Sequence, residues 1–125
     1  MAFFRAAIGG GGGGGSASGT IPDVSGTSQT FTVDTGLASI NRFVAWGQST
    51  ANGHTCIAYD KSVSQTNYQG VGMNGTNVGY YNSVAFGTAI HVSCPQIVSV
   101  VGGVVTIKTS TYSGSRFTNG WWMAC

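Results

Sequence analysis

The stretch Ile97-Val98-Ser99-Val100-Val101-Gly102-Gly103-Val104-Val105-Thr106-Ile107-Lys108-Thr109 decides the fold. Two runs rich in β-branched residues, 97–101 and 104–108, flank a pair of glycines. Branched side chains are stiff at χ1 and pack well on a pleated surface. Successive glycines can supply the positive φ angles of a two-residue turn. The stretch therefore predicts a β-hairpin.

The same signals recur on either side of this hairpin. After a Ser113-Gly114 turn, residues 116–125 form a last strand. Strict alternation puts Phe117, Trp121, Met123 and Cys125 on one face, and Thr118, Gly120, Trp122 and Ala124 on the other. Trp121 is then expected in the core and Trp122 pointing away from it. Upstream, residues 28–33 alternate polar and apolar, and Asp34-Thr35-Gly36 supplies a turn. Residues 40–48 are apolar on both faces from Phe43 to Trp46, as in a doubly covered strand. Residues 55–59 follow the Asn52-Gly53 turn, and residues 65–73 read as a weaker strand interrupted by Gly70 and Gly72. Asn74-Gly75 is a second hairpin signal, with strand candidates at 78–86 and 89–93 around Gly87. No segment has helical period. Short strands at this spacing predict an all-β fold, an antiparallel β-sandwich of jelly-roll or lectin-like type over residues 27–125.

Residues 1–26 read as an arm. Residues 1–8 are mostly apolar, and Gly9 to Gly15 form an unbroken glycine run. Such a run defaults to a tether, spanning about 15 Å as a coil and about 24 Å when stretched. An apolar tip on a tether is best explained as an anchor, so Phe3, Phe4, Arg5 and Ile8 are the expected assembly residues. A loose terminus, or glycine runs packed between subunits, are the alternatives. The tip is too short for a signal-peptide core and Arg5 interrupts it, so no cleaved secretory signal is expected.

Composition narrows the chemistry. Of 125 residues, 42% are hydrophobic and only 6% charged, against roughly 25% charged in an average soluble protein. Glutamate is absent, and the carboxylates are Asp23, Asp34 and Asp60, each placed as a turn or cap residue. The +2 net charge comes from five scattered cations, Arg5, Arg42, Lys61, Lys108 and Arg116, which offer no basic stripe for nucleic acid. No run reaches the ~18 apolar residues of a membrane span. His54 and His91 stand alone without a cysteine or acidic cluster, and no Gly-x-Ser-x-Gly elbow accompanies them. We therefore expect no enzyme, no cofactor and no metal. Cys56, Cys94 and Cys125 are an odd set without zinc or redox spacing. Buried free thiols are the simpler reading, and a Cys56–Cys94 disulfide stays open.

What remains is an aromatic and amide-rich surface. Tyr68, Tyr80 and Tyr81 lie among Asn67, Asn74, Asn77 and Asn82. Tyrosine with Asn, Ser and Gly suits adaptable recognition, so Tyr68, Asn74, Asn77, Tyr80 and Tyr81 are candidate ligand-binding residues, with sugars a fitting ligand. The alternative packs these tyrosines in the sandwich. Trp46 and Trp122 leave more apolar face than one small sandwich buries, which points to a homo-oligomer interface, with a trimer preferred.

Two segments carry a resemblance. Residues 31–37, Phe-Thr-Val-Asp-Thr-Gly-Leu, with residues 40–46, Ile-Asn-Arg-Phe-Val-Ala-Trp, resemble the start of small β-sandwich domains in tail and virion proteins of tailed bacteriophages. The Gly102–Lys108 hairpin and the closing Phe-Thr-Asn-Gly-Trp-Trp-Met-Ala-Cys, residues 117–125, are similar to the end of the same group. The chain lacks the His-x-His metal sites of some long tail-fibre tips. The resemblance implies a virion structural protein assembled in the host cytoplasm, its arm docked on other virion proteins. Such a protein serves host attachment as a tail fibre, through a cell-surface glycan, or decorates the particle. A free carbohydrate-binding module or lectin is the alternative.

Overall fold

The Gly-Gly hairpin is present in the computed structural model, which describes residues 15–75 and 77–125. The expected anchor residues Phe3, Phe4, Arg5 and Ile8 lie outside the described residues. The strands run β1 (Ala17–Ile21), β2 (Val24–Ser25), β3 (Thr30–Asp34), β4 (Arg42–Thr50), β5 (Gly53–Asp60), β6 (Asn67–Asn74), β7 (Asn77–Ala85), β8 (Gln96–Val101), β9 (Val104–Lys108) and β10 (Arg116–Ala124). A larger sheet has the order β1-β10-β4-β5-β6-β7, with β2 also on β10, and a smaller sheet has the order β3-β9-β8. Every pairing is antiparallel.

The two sheets share one core, so the fold is all-β and sandwich-like. The smaller sheet contributes Val33, Ile97, Val105 and Ile107, and the larger contributes Phe43, Ile57, Tyr59, Tyr68, Phe117 and Trp122. Phe31 of β3 meets Phe117 of β10 with ring centroids 5.6 Å apart, bridging the layers. Each large apolar side chain buried this way contributes about 1.5–3 kcal/mol. Beyond the reach of the smaller sheet, residues 86–95 cover β6. There a Cβ on Gly70 would come within 2.5 Å of Ile90 Cδ1, and one on Gly72 within 2.5 Å of Cys94 Sγ. The two glycines that weaken β6 as a sequence pattern are what lets that segment lie flat on the strand.

Four expectations need correction. Ala17–Ile21 and Val24–Ser25, placed in the arm, are strands: β1 runs along β10 from Ala17 opposite Ala124 to Ile21 opposite Gly120, and β2 pairs it at Phe117 and Arg116. Ser, Gly and Thr hide this strand, because its stability comes from its neighbour and not from its own propensity. Residues 89–93 form no strand; they belong to the covering segment. In the Gly-Gly turn only Gly102 is left-handed, at φ 57°. Gly103 is required because a Cβ there would collide with the Leu37 carbonyl oxygen.

The last correction concerns the tryptophans. Trp122 is core, 8% exposed and stacked on Phe43 at 6.4 Å, while Trp121 is half-buried on the opposite face. The register of β10 on β4 shifts between Thr118 and Trp121, and Asn119 sits there in the left-handed region at φ 51°. A bulge inserts one extra residue and reverses the parity of everything after it. Phe117 and Trp122 therefore both point inward.

Candidate functional site: the open face of the larger sheet

Directly opposed residues in an antiparallel pair share a face. Reading across the strands from Trp121 of β10 gives Trp46 of β4, Cys56 of β5, Val71 of β6 and Tyr80 of β7. This row crosses the face turned away from the core. A parallel row carries Thr118, Gln48, His54, Met73 and Val78. Four members are large, apolar and open to solvent: Trp46 at 37%, Met73 at 41%, Val78 at 63% and Tyr80 at 66%. Scattered exposed hydrophobics are ordinary, but a contiguous set on a rigid sheet marks an interaction surface.

Between the two rows lies a depression of ≈ 300 Å³. Trp46, Val71 and Met73 give it apolar walls, and Gln48, His54 and Asn119 place polar groups at it. Among the described residues no Asp, Glu, Lys or Arg lines it. The backbone at the bulge is pinned, since Asn119 N donates to Asp23 Oδ1 at 3.0 Å. Gln48 is likewise held, its Nε2 donating to the Ala51 carbonyl at 3.0 Å. The Cys56 thiol belongs to the same face, and burial pushes its pKa up. Such a surface offers a flat aromatic platform, neutral hydrogen-bonding groups and little charge.

The expected site residues separate. Tyr80 joins the open face, and Asn77 is exposed at the hairpin that connects β6 to β7. Asn74 pairs with Asn77 through the backbone at that hairpin. Tyr81 faces the other way, its ring against Gly79. Tyr68 is not on the surface at all. It is 1% exposed, packs on Phe86, and its hydroxyl donates to the Thr88 carbonyl, with burial raising its pKa well above the usual tyrosine value. It falls on the inner face because it shares parity with Gly70 and Gly72. Trp46 is on the outer face, whereas Trp122, paired with it as an interface residue, is covered. Gln48, His54, Val71, Met73 and Trp121 were not expected at a site. Their only signal is register, which a single strand does not reveal.

The carboxylates are engaged in local structure. Asp34 Oδ1 accepts from Gly36 N at 3.0 Å, and Asp60 Oδ1 accepts from Ser62 N at 2.9 Å and Ser62 Oγ at 2.6 Å. Arg42 and Asp60 form an exposed cross-strand ion pair at 3.3 Å, an arrangement worth little in water. Among the described residues no three His, Cys, Asp or Glu side chains come together, and no helix is long and apolar enough to cross a membrane. Comparison with protein-family models, curated proteins and solved structures finds no match.

Proposed function

We propose that the chain is a structural protein of a tailed-bacteriophage virion, displayed on the particle, which serves host attachment through the open face of its larger sheet. The observation that carries attachment is the Trp121–Trp46–Cys56–Val71–Tyr80 row beside a neutral depression. A protein that only coats a particle needs no exposed aromatic platform. Sugar C–H faces stack on indole and phenol rings, and sugar hydroxyls take amide partners, so a neutral cell-surface glycan is the ligand class this surface suits. The resemblance of residues 31–37, 40–46, 102–108 and 117–125 to virion β-sandwich domains supports the setting, and the apolar residues Phe3, Phe4 and Ile8 support docking on other virion proteins. Of the two finer fold readings the lectin-like one fits better, because β4 to β7 follow one another within one sheet. A jelly roll would pass such strands between its sheets in Greek keys.

Two measurements test this. The chain should co-sediment with purified particles, and binding to host cells should fall at least about tenfold in Trp46→Ala, the loss of one central aromatic anchor. Absence from particles with glycan binding retained would favour the second reading, a free carbohydrate-binding module or lectin that uses the same face. Unchanged binding in Trp46→Ala would defeat both.

A further inference from the structure

Strand β7 is a long edge with little to guard it. It is the terminal strand of the larger sheet, paired with β6 on one side and with no other strand among the described residues. Backbone N–H and C=O groups along such an edge are a template for another strand. Edges are ordinarily blunted by lysine, by proline, by shortness or by a bulge. Residues 77–85, Asn-Val-Gly-Tyr-Tyr-Asn-Ser-Val-Ala, contain no charge and no proline, and the strand has nine residues. One guard is present: the register on β6 shifts between Tyr68 and Gly70, and Ser83 is left-handed at φ 59°. The flat, open portion is therefore residues 77–82.

We infer that this edge pairs with the same edge of a second copy of the chain, joining two larger sheets antiparallel about a two-fold axis near Gly79. Three features select a second copy as the occupant. The edge is neutral, so identical strands meet without the like-charge repulsion that would otherwise forbid self-pairing. Val78 and Tyr80 share a face of the strand, and a two-fold near Gly79 sets each Val78 opposite the Tyr80 of the other copy. Aromatic and β-branched residues make a favourable cross-strand pair, and this arrangement makes it twice. Finally, the side chains brought together are apolar and lie open to solvent: Val78 is 63% and Tyr80 66% exposed. An isologous contact of this kind closes on itself as a dimer, in place of the trimer expected from sequence. A five-residue strand pairing, residues 77–81, is a small interface, so the association belongs at the weak end of specific complexes.

Sedimentation velocity on the full chain over a concentration series tests the pairing. A monomer–dimer equilibrium is expected, weakened at least about tenfold in Val78→Lys and in Tyr80→Lys, each of which sets like charges across the axis. Val101→Lys, an equally exposed edge position on the other sheet, should leave it unchanged. Those backbone amides of residues 77–81 that point away from β6 should exchange more slowly at high than at low protein concentration in the unaltered chain, which reads the contact without any substitution. A chain that stays monomeric, an association that survives both lysine variants, or β7 exchange independent of concentration would overturn the inference.

Discussion

Trp46 and Trp121 are direct register partners on adjacent strands, their ring centroids 4.1 Å apart and their planes inclined at 52°. The pair faces away from the core that Trp122 helps to fill, so neighbouring tryptophans in one strand do different work. Trp122→Ala should cost about 3–5 kcal/mol in chemical denaturation, as a large aromatic removed from a packed core. Trp46→Ala should cost only about 1–2 kcal/mol, because its ring is already partly in water. Equal losses would contradict the assignment of faces.

Tyr68 and Tyr80 should part in the same way. Tyr68→Phe removes a buried hydroxyl from the Thr88 carbonyl and is expected to cost about 1 kcal/mol or somewhat more. Tyr80→Ala should stay within about 0.5 kcal/mol in stability, as an exposed substitution does. Thermal melts of the two variants side by side settle which tyrosine is structural.

The strand pattern was legible and the faces were not. Strands β3 to β10 lie close to where alternation and turn residues put them, since stiff branched residues and Gly or Asn turns act locally. The bulge at Asn119 is set by β10 meeting Asp23 and β4, which are distant in sequence, and it exchanged the expected positions of Trp121 and Trp122. Strand β1 was invisible for a related reason: Ala-Ser-Gly-Thr-Ile has little strand propensity and is held along its own length by residues 120–124 of β10. The site was half legible. Tyr80 and Trp46 were readable as aromatic residues with no obvious place in a small core. Their union with His54, Met73 and Val71 depends on three successive registers.

Asp60 gives a pH signature. Hydrogen bonding from the Ser62 hydroxyl, chiefly, holds its carboxyl below the usual aspartate range, with Arg42 adding to the effect. A depressed folded-state pKa contributes stability that is present above the ordinary aspartate pKa and lost as pH falls through the folded value. The group is exposed, so the effect is small. The melting temperature should decline slightly on acidification through that window, and less so in Ser62→Ala. An identical pH profile in the variant would remove Asp60 from the account.

The thiols should react in a fixed order. Cys94 is 1% exposed, lies against Gly72 and sits 3.2 Å from the Thr55 hydroxyl, and burial raises its pKa. Cys56 is half-buried on the outer face. A thiolate reagent at mildly alkaline pH should label Cys56 first and reach Cys94 only when the chain unfolds. Early labelling of Cys94 would mean that residues 86–95 open independently of the core.

Cys56 and Cys94 lie on opposite sides of the larger sheet, so the backbone of β5 and β6 stands between their sulfur atoms. All three cysteines of the chain are free thiols. Among the described residues the scaffold is thus closed by packing and hydrogen bonds, without a covalent staple. Its native state needs no oxidant to form and loses nothing to a reductant. Its stability should therefore be the same in the presence and absence of a thiol reductant.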